Sequence, residues 1–297
     1  MKKWIHAARL RTLPLSVSGI ILGSLIALSD SHWNWSIFIL ALLTTLFLQI
    51  LSNYANDYGD GIRGTDTYRT GERRIVASGE VTPVQMKTAV LIFSLLSTFT
   101  ALLLVYVAFK ENFLYAVLFV FLTIACVWAA IKYTVGKNAY GYAAMGDVFV
   151  FLFFGIISVW GSYTLYSHQG LNLLILLPAA AIGLLSAAVL NLNNMRDMNT
   201  DEISGKLTVP LIIGFRKAKI YQAVLMISPF LLTLIYLILN NKTSWHHLLF
   251  LLLLIPTLVM LKSMFSVKEQ SQLDKELKKV ALLTLAFSLI LGISINF

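Results

Sequence analysis

Apolar runs of near-constant length recur along the chain, separated by short polar stretches that alternate in charge. About 20 apolar residues in a helix are needed to cross the hydrocarbon core of a bilayer. On that measure the pattern predicts nine spans, at residues 13–29, 35–54, 86–109, 113–131, 142–163, 172–194, 218–239, 245–264 and 278–296. Residues 1–12 set Lys2, Lys3, Arg9 and Arg11 beside an apolar stripe of Trp4, Ile5, Ala8 and Leu10. That combination reads as an interfacial helix leading into a retained first span, not as a cleaved leader. Two polar stretches, 55–85 and 195–217, are longer than a turn requires. Loops of that length in a compact bundle are usually functional.

Composition makes the membrane assignment firm. Hydrophobic residues are 58% of the 297 and charged residues 12%, where a soluble domain carries about 25% charged. So much apolar surface cannot be hidden in a water-soluble core. The fold class is an all-α integral membrane protein, one transmembrane domain over residues 1–297. No linker or low-complexity tract divides it.

Net charge is +9, which in a soluble protein would suggest nucleic acid. Here the bases orient the spans instead. With the N-terminus in the cytoplasm, all of the 23 Lys and Arg except Lys110 and Lys242 fall on cytoplasmic segments, as the positive-inside rule requires. The expected location is the cell inner membrane, with no nucleic-acid partner. The lone Cys126 forms no intrachain disulfide, and the five histidines show no metal-binding spacing.

The chemistry is concentrated where the two long polar stretches begin. The first reads Asn53-Tyr54-Ala55-Asn56-Asp57-Tyr58-Gly59-Asp60, with Asp66 following. The second reads Asn193-Asn194-Met195-Arg196-Asp197-Met198-Asn199-Thr200-Asp201, with Lys206 following. Residues three or four apart share a helix face, so Asn53, Asp57 and Asp60 form one polar stripe, and Asn193, Asp197 and Asp201 another. Asn53 and Asn193 are 140 residues apart, as are Asp57 and Asp197. Two weakly related halves, about 1–131 and 132–297, would each supply one stripe. Clustered carboxylates repel unless a cation lies among them. Oxygen donors without Cys or His suit Mg²⁺, which is held by a few carboxylates together with phosphate oxygens.

The loops also supply opposite charge. Arg69, Arg73, Arg74 and Lys206 are suited to a phosphoryl group, with positive-inside anchoring as the plainer reading, equally weighted for Arg69. No Walker-type loop occurs. Asp147, at the start of the fifth apolar run near Tyr133, Lys137 and Tyr140, is a substrate-binding candidate. Its alternative is a structural pair with Lys137. Arg11, before Pro14, either meets an anionic substrate or anchors the first span.

Asn56-Asp57-x-x-Asp60 paired with Asp197-x-x-x-Asp201 resembles the UbiA superfamily of intramembrane aromatic prenyltransferases. The first motif departs from that family's pattern at Gly64, where a further Asp would stand, and Asp66 follows it. Ala8-Arg9-Leu10-Arg11-Thr12-Leu13-Pro14 and Gly205-Lys206-Leu207-Thr208 look like the branch acting on 1,4-dihydroxy-2-naphthoate. The resemblance implies nine helices around a central cavity, a polyprenyl diphosphate donor and Mg²⁺ held by Asp57, Asp60, Asp197 and Asp201. It also implies prenylation of the naphthoate with loss of its carboxylate. Asn53 and Asn193 would orient ligands. Asn56, Arg73, Arg74, Lys137, Tyr140 and Lys206 complete the candidate substrate site.

Three rivals are kept. A transporter with inverted repeats would explain the repeat and Asp147, but not carboxylates and arginines gathered at one face. A CDP-alcohol phosphotransferase needs Asp-Gly-x-x-Ala-Arg, and here Ile62-Arg63-Gly64 follows Asp60-Gly61. Within the superfamily, 4-hydroxybenzoate is the alternative acceptor.

Overall fold

The structure is a computed structural model that describes residues 2–65, 74–167 and 172–297. Among the described residues, nine helices are long and apolar enough to span a bilayer. They are Lys2–Ser29, Trp35–Arg63, Pro83–Phe109, Phe113–Lys132, Gly146–Thr164, Leu173–Ile203, Phe215–Leu239, Trp245–Ser266 and Gln270–Ser294. The chain is therefore a multi-pass, all-helical membrane protein. No strand is formed among the described residues beyond one isolated bridge, Ala143 to Leu207.

Local signals place the helix starts. Thr82 and Gln85 form a reciprocal capping box ahead of Pro83, whose missing N–H costs nothing at the first helical position. The Asn112 side chain accepts the Tyr115 N–H and opens the fourth span. The first span is interrupted where the sequence turns basic. A short helix Lys2–Ala7 stops, Arg9 adopts a left-handed φ of 48°, and the helix resumes at Leu13. Exposed Phe113, Leu114, Leu118, Phe121, Ile124 and Trp128 on the fourth span face outward, as apolar side chains do when lipid is the solvent.

The second and sixth helices run beyond the ends predicted from hydropathy, from 54 to Arg63 and from 194 to Ile203. Hydropathy marks where hydrocarbon ends, whereas the helix continues while protein partners remain. Both acidic stripes therefore lie on continuous helix. The segments that follow them are correspondingly shorter than the expected loops 55–85 and 195–217.

The chain divides into two compact units, each built from segments that are separate in sequence. One holds Met1–Leu13, Ser36–Gly146 and Asp197–Thr208. The other holds Pro14–Trp35, Asp147–Arg196 and Val209–Phe297. In the first, Leu51, Tyr54 and Ala55 of the second span pack with Ile75, Val76, Val81 and Met86 in a buried apolar cluster. In the second, Phe230 stacks on Phe250 and both meet Phe287 edge to face, with centroids 5.4–6.0 Å apart. There the fifth span passes through wide π-helical turns at Phe151–Trp160. A Cβ on Gly155 would stand 2.4 Å from the Gly183 Cα, so two backbones meet directly.

Candidate functional site

Both acidic stripes keep their carboxylates inside the protein. Asp57, Asp60, Asp197 and Asp201 are 1%, 3%, 5% and 4% exposed. All four belong to the first unit, as do Arg74 and Lys206.

On the second span, the Asp57 carboxylate is clasped by backbone. Its Oδ2 accepts the Ile75 N–H at 3.2 Å and its Oδ1 the Val76 N–H at 3.1 Å. The Arg9 charge also acts on it. One turn earlier, Asn53 Nδ2 donates to the Ala8 carbonyl at 2.8 Å and ties down the amino-terminal segment. Thr134 Oγ1 is 3.2 Å from Asn56 Oδ1 and 3.0 Å from the Ala55 carbonyl. Asp60 receives the Tyr142 hydroxyl on Oδ1 at 2.7 Å, while its Oδ2 lies 3.5 Å from Arg74 Nη2.

The end of the sixth span is built alike. Gly205, with φ 69°, reverses the chain in a left-handed turn that glycine adopts without steric cost. The Lys206 N–H then donates to the Asp201 carbonyl at 2.8 Å. Its buried ammonium returns to within 3.4 Å of Asp201 Oδ1. In each motif the last aspartate is paired with a base from the segment that follows.

Residues 140–144 connect the two motifs. Tyr142 donates its hydroxyl to Asp60, and its carbonyl accepts the Leu207 N–H at 3.2 Å. The Leu207 carbonyl accepts the Ala144 N–H at 3.0 Å. Thr65 Oγ1 is 2.7 Å from the Tyr142 hydroxyl, and the Arg63 guanidinium lies 4.2 Å from the centre of its ring. Arg63 also donates to the Gly136 carbonyl. Burial, and then the Asp60 charge, push the Tyr142 phenol well above its ordinary pKa, so it stays a hydroxyl donor.

The other candidates fall elsewhere. Lys137 and Arg11 are exposed. The Tyr140 hydroxyl donates to the Ala129 carbonyl at 2.8 Å, and its ring stacks on Trp128. In the second unit, the Asn193 Oδ1 accepts from Arg196 Nη2 at 2.8 Å, and Arg196 Nη1 meets Asp274 Oδ1 at 2.5 Å. Also in that unit, buried Asp147 hydrogen-bonds with Tyr221. Asp66, Arg69 and Arg73 lie outside the described residues.

Sequence reading missed Tyr142, Thr65 and the Arg196–Asp274 pair. A glycine between two tyrosines on an inner segment, Tyr140-Gly141-Tyr142, was the available sign of the first.

Among the described residues, no three His, Cys, Asp or Glu side chains gather as a ready metal cage. Mg²⁺ needs no such cage. It retains waters and takes one or two carboxylates plus substrate phosphate oxygens. Two buried carboxylates per motif, all hard oxygen donors, fit that ion.

A profile of the UbiA prenyltransferase family matches residues 16–292. The chain is 40% identical over 302 aligned positions to the 1,4-dihydroxy-2-naphthoate octaprenyltransferase of Escherichia coli, covering 99% of this chain and 95% of that one. It is 37% identical to the protein of the same name from Haemophilus influenzae, covering 85% of this chain and 82% of that one. Its fold matches a UbiA homolog from Archaeoglobus fulgidus, solved bound to GPP and Mg²⁺. That match has a TM-score of 0.68 at 14% identity and covers 97% and 99% of the two chains.

Proposed function

We propose, because the chain belongs to the UbiA prenyltransferase family, that it transfers a polyprenyl group from polyprenyl diphosphate to 1,4-dihydroxy-2-naphthoate. The products are demethylmenaquinol, diphosphate and CO₂, a step of menaquinone biosynthesis. The names of the Escherichia coli and Haemophilus influenzae relatives support the acceptor. The observation that carries the reading is the pair of buried acidic stripes, each with its last aspartate matched to a base from the following segment.

Asp57 and Asp60 would hold one Mg²⁺, and Asp197 and Asp201 a second. When bound, the metal neutralises charge on the diphosphate oxygens and so makes diphosphate a better leaving group. Arg74 and Lys206 are placed to exchange their carboxylates for phosphate oxygens as that charge develops. The allylic C–O bond breaks and its electron pair leaves with diphosphate. The electron-rich ring carbon bearing the carboxylate forms the new C–C bond, and CO₂ departs from that carbon. Arg73 is assigned to diphosphate binding, and Arg11, Asn56, Lys137, Tyr140 and Asp147 to substrate binding. The distribution of Lys and Arg along the chain supports a cytoplasmic N-terminus and acidic motifs on the cytoplasmic side of the inner membrane. The lipid phase delivers the isoprenoid tail.

The test supplies purified protein with a polyprenyl diphosphate, Mg²⁺ and each acceptor in turn, and reads products by mass. Prenylated, decarboxylated naphthoate is expected, and EDTA should abolish it. Prenylation of 4-hydroxybenzoate but not the naphthoate overturns the acceptor assignment. Movement of a solute across sealed vesicles without chemical change would instead revive the transporter.

A further inference from the structure

Tyr142 belongs to neither acidic motif, yet it touches the surroundings of both. Its phenol has one proton, and that proton goes to Asp60 Oδ1 at 2.7 Å. A carboxylate only accepts, so the Tyr142 oxygen is left as the acceptor for the Thr65 hydroxyl at 2.7 Å. The order of donation is therefore fixed: Thr65 to Tyr142 to Asp60. The Arg63 guanidinium over the ring face, 4.2 Å from its centre, restrains the phenol from behind. The residue's own backbone is held independently, its carbonyl accepting the Leu207 N–H at 3.2 Å. Leu207 follows Lys206, the base paired with Asp201. One residue thus orients an aspartate of the first motif by its side chain and fixes the basic segment of the second by its main chain.

We infer that Tyr142 is a positioning residue for the metal site. Its hydroxyl holds Asp60 in the one orientation that leaves Oδ2 for a cation, a place taken here by Arg74 at 3.5 Å. Carboxylates that ligate metals are themselves held by hydrogen bonds, and losing such a partner typically costs about 10–100-fold in metal affinity or activity. This inference rests on the proposal that Asp60 is a metal ligand. It adds a residue that neither motif contains, and a reason why the segment between the fourth and fifth spans belongs to the site.

The experiment compares wild type with Tyr142→Phe, which keeps the ring, its contact with Arg63 and the backbone bonds. Mn²⁺ binding is followed by electron paramagnetic resonance in the presence of an unreactive thiolodiphosphate analogue of farnesyl diphosphate. Thermal melting and turnover are measured beside it. The expected result is Mn²⁺ affinity weaker by about 10–100-fold, turnover restored at saturating metal, and a small fall in melting temperature for the one lost hydrogen bond to a buried carboxylate. Thr65→Val should weaken Mn²⁺ binding less, because the Tyr142–Asp60 bond survives. Unchanged Mn²⁺ affinity in Tyr142→Phe overturns the inference, and a lowered melting temperature with unchanged affinity reduces the bond to packing. Asp60→Asn separates the two levels. If it weakens Mn²⁺ binding and Tyr142→Phe does not, only this inference fails. If neither does, the metal assignment of Asp60 fails as well.

Discussion

Lys206 Nζ lies 3.4 Å from Asp201 Oδ1, with the two side chains 9% and 5% exposed. Arg74 and Asp60 repeat the arrangement at the other motif, 3.5 Å apart and 6% and 5% exposed. Each pair neutralises the charge of a carboxylate buried away from water. Each base is also carried by a segment that lies after its helix in sequence, so it can be drawn to a new anion without unwinding the helix.

The first prediction concerns these pairs. Removing one partner of a buried pair typically costs about 3–5 kcal/mol, because the other charge is stranded. Lys206→Met should therefore lower the melting temperature sharply. Adding Asp201→Asn should recover part of that loss, since the stranded carboxylate is gone. Turnover should be absent in both. Additive losses in the double mutant, read by thermal melting in detergent, would mean that the pair is not energetically coupled.

Asp57 makes a different prediction. Its two oxygens accept the Ile75 and Val76 N–H groups, so it organises the segment that carries Arg74 as well as offering a metal ligand. Hydrogen bonds to a charged group contribute about 1.5–3 kcal/mol each. Asp57→Ala should insert in the membrane and be inactive, and amide exchange at Ile75 and Val76 should speed up by tenfold or more. Asp197→Ala should also insert and be inactive, while leaving those two amides protected. Equal exchange in the two variants would separate Asp57 from the segment.

Why some of this was legible in the sequence and some was not has physical causes. Spans were legible because lipid demands apolar length and the bilayer fixes that length; Phe113–Lys132 is within a residue of its expected limits. The stripe geometry was legible because helical spacing is rigid. Ends were not: the helices continue to Arg63 and Ile203 because buried protein partners, invisible to hydropathy, hold the polar residues. The contacts of Tyr142 were not legible for a related reason. Its contacts with Asp60 and Leu207 join positions 82 and 65 residues apart, and no local pattern encodes such a meeting. The assignment of Pro14–Trp35 to one compact unit and Ser36–Gly146 to the other likewise follows from packing and not from order along the chain.

Packing at the fifth span gives a prediction with its own control. A Cβ on Gly155 would lie 2.4 Å from Gly183 Cα and 2.6 Å from the Ala179 carbonyl oxygen, both backbone atoms that cannot step aside. A Cβ on Gly161 would meet nothing nearer than the Ile157 Cγ2 at 4.0 Å. Gly155→Ala should destabilise by about 1–3 kcal/mol, the usual cost of overpacking. Gly161→Ala should melt at or above wild type, because alanine is the better helix former. Similar melting of the two variants would remove the close helix contact as a source of stability.

Asn193 can be tested for what it serves. Its Oδ1 accepts from Arg196 Nη2 at 2.8 Å, and Arg196 in turn meets Asp274 at 2.5 Å. In this geometry Asn193 acts through the arginine, whose side chain is 3% exposed and needs its acceptors. Asn193→Ala should cost less turnover than Asp197→Ala. Its penalty should also vanish when Arg196→Met is already present, since the group it supports has gone. A double-mutant cycle on turnover and on melting temperature measures this. If Asn193 instead touches the reacting molecules, the kinetic penalty persists in the Arg196→Met background while the melting penalty disappears. That split distinguishes a ligand-orienting asparagine from one that secures the bond between the sixth and ninth spans.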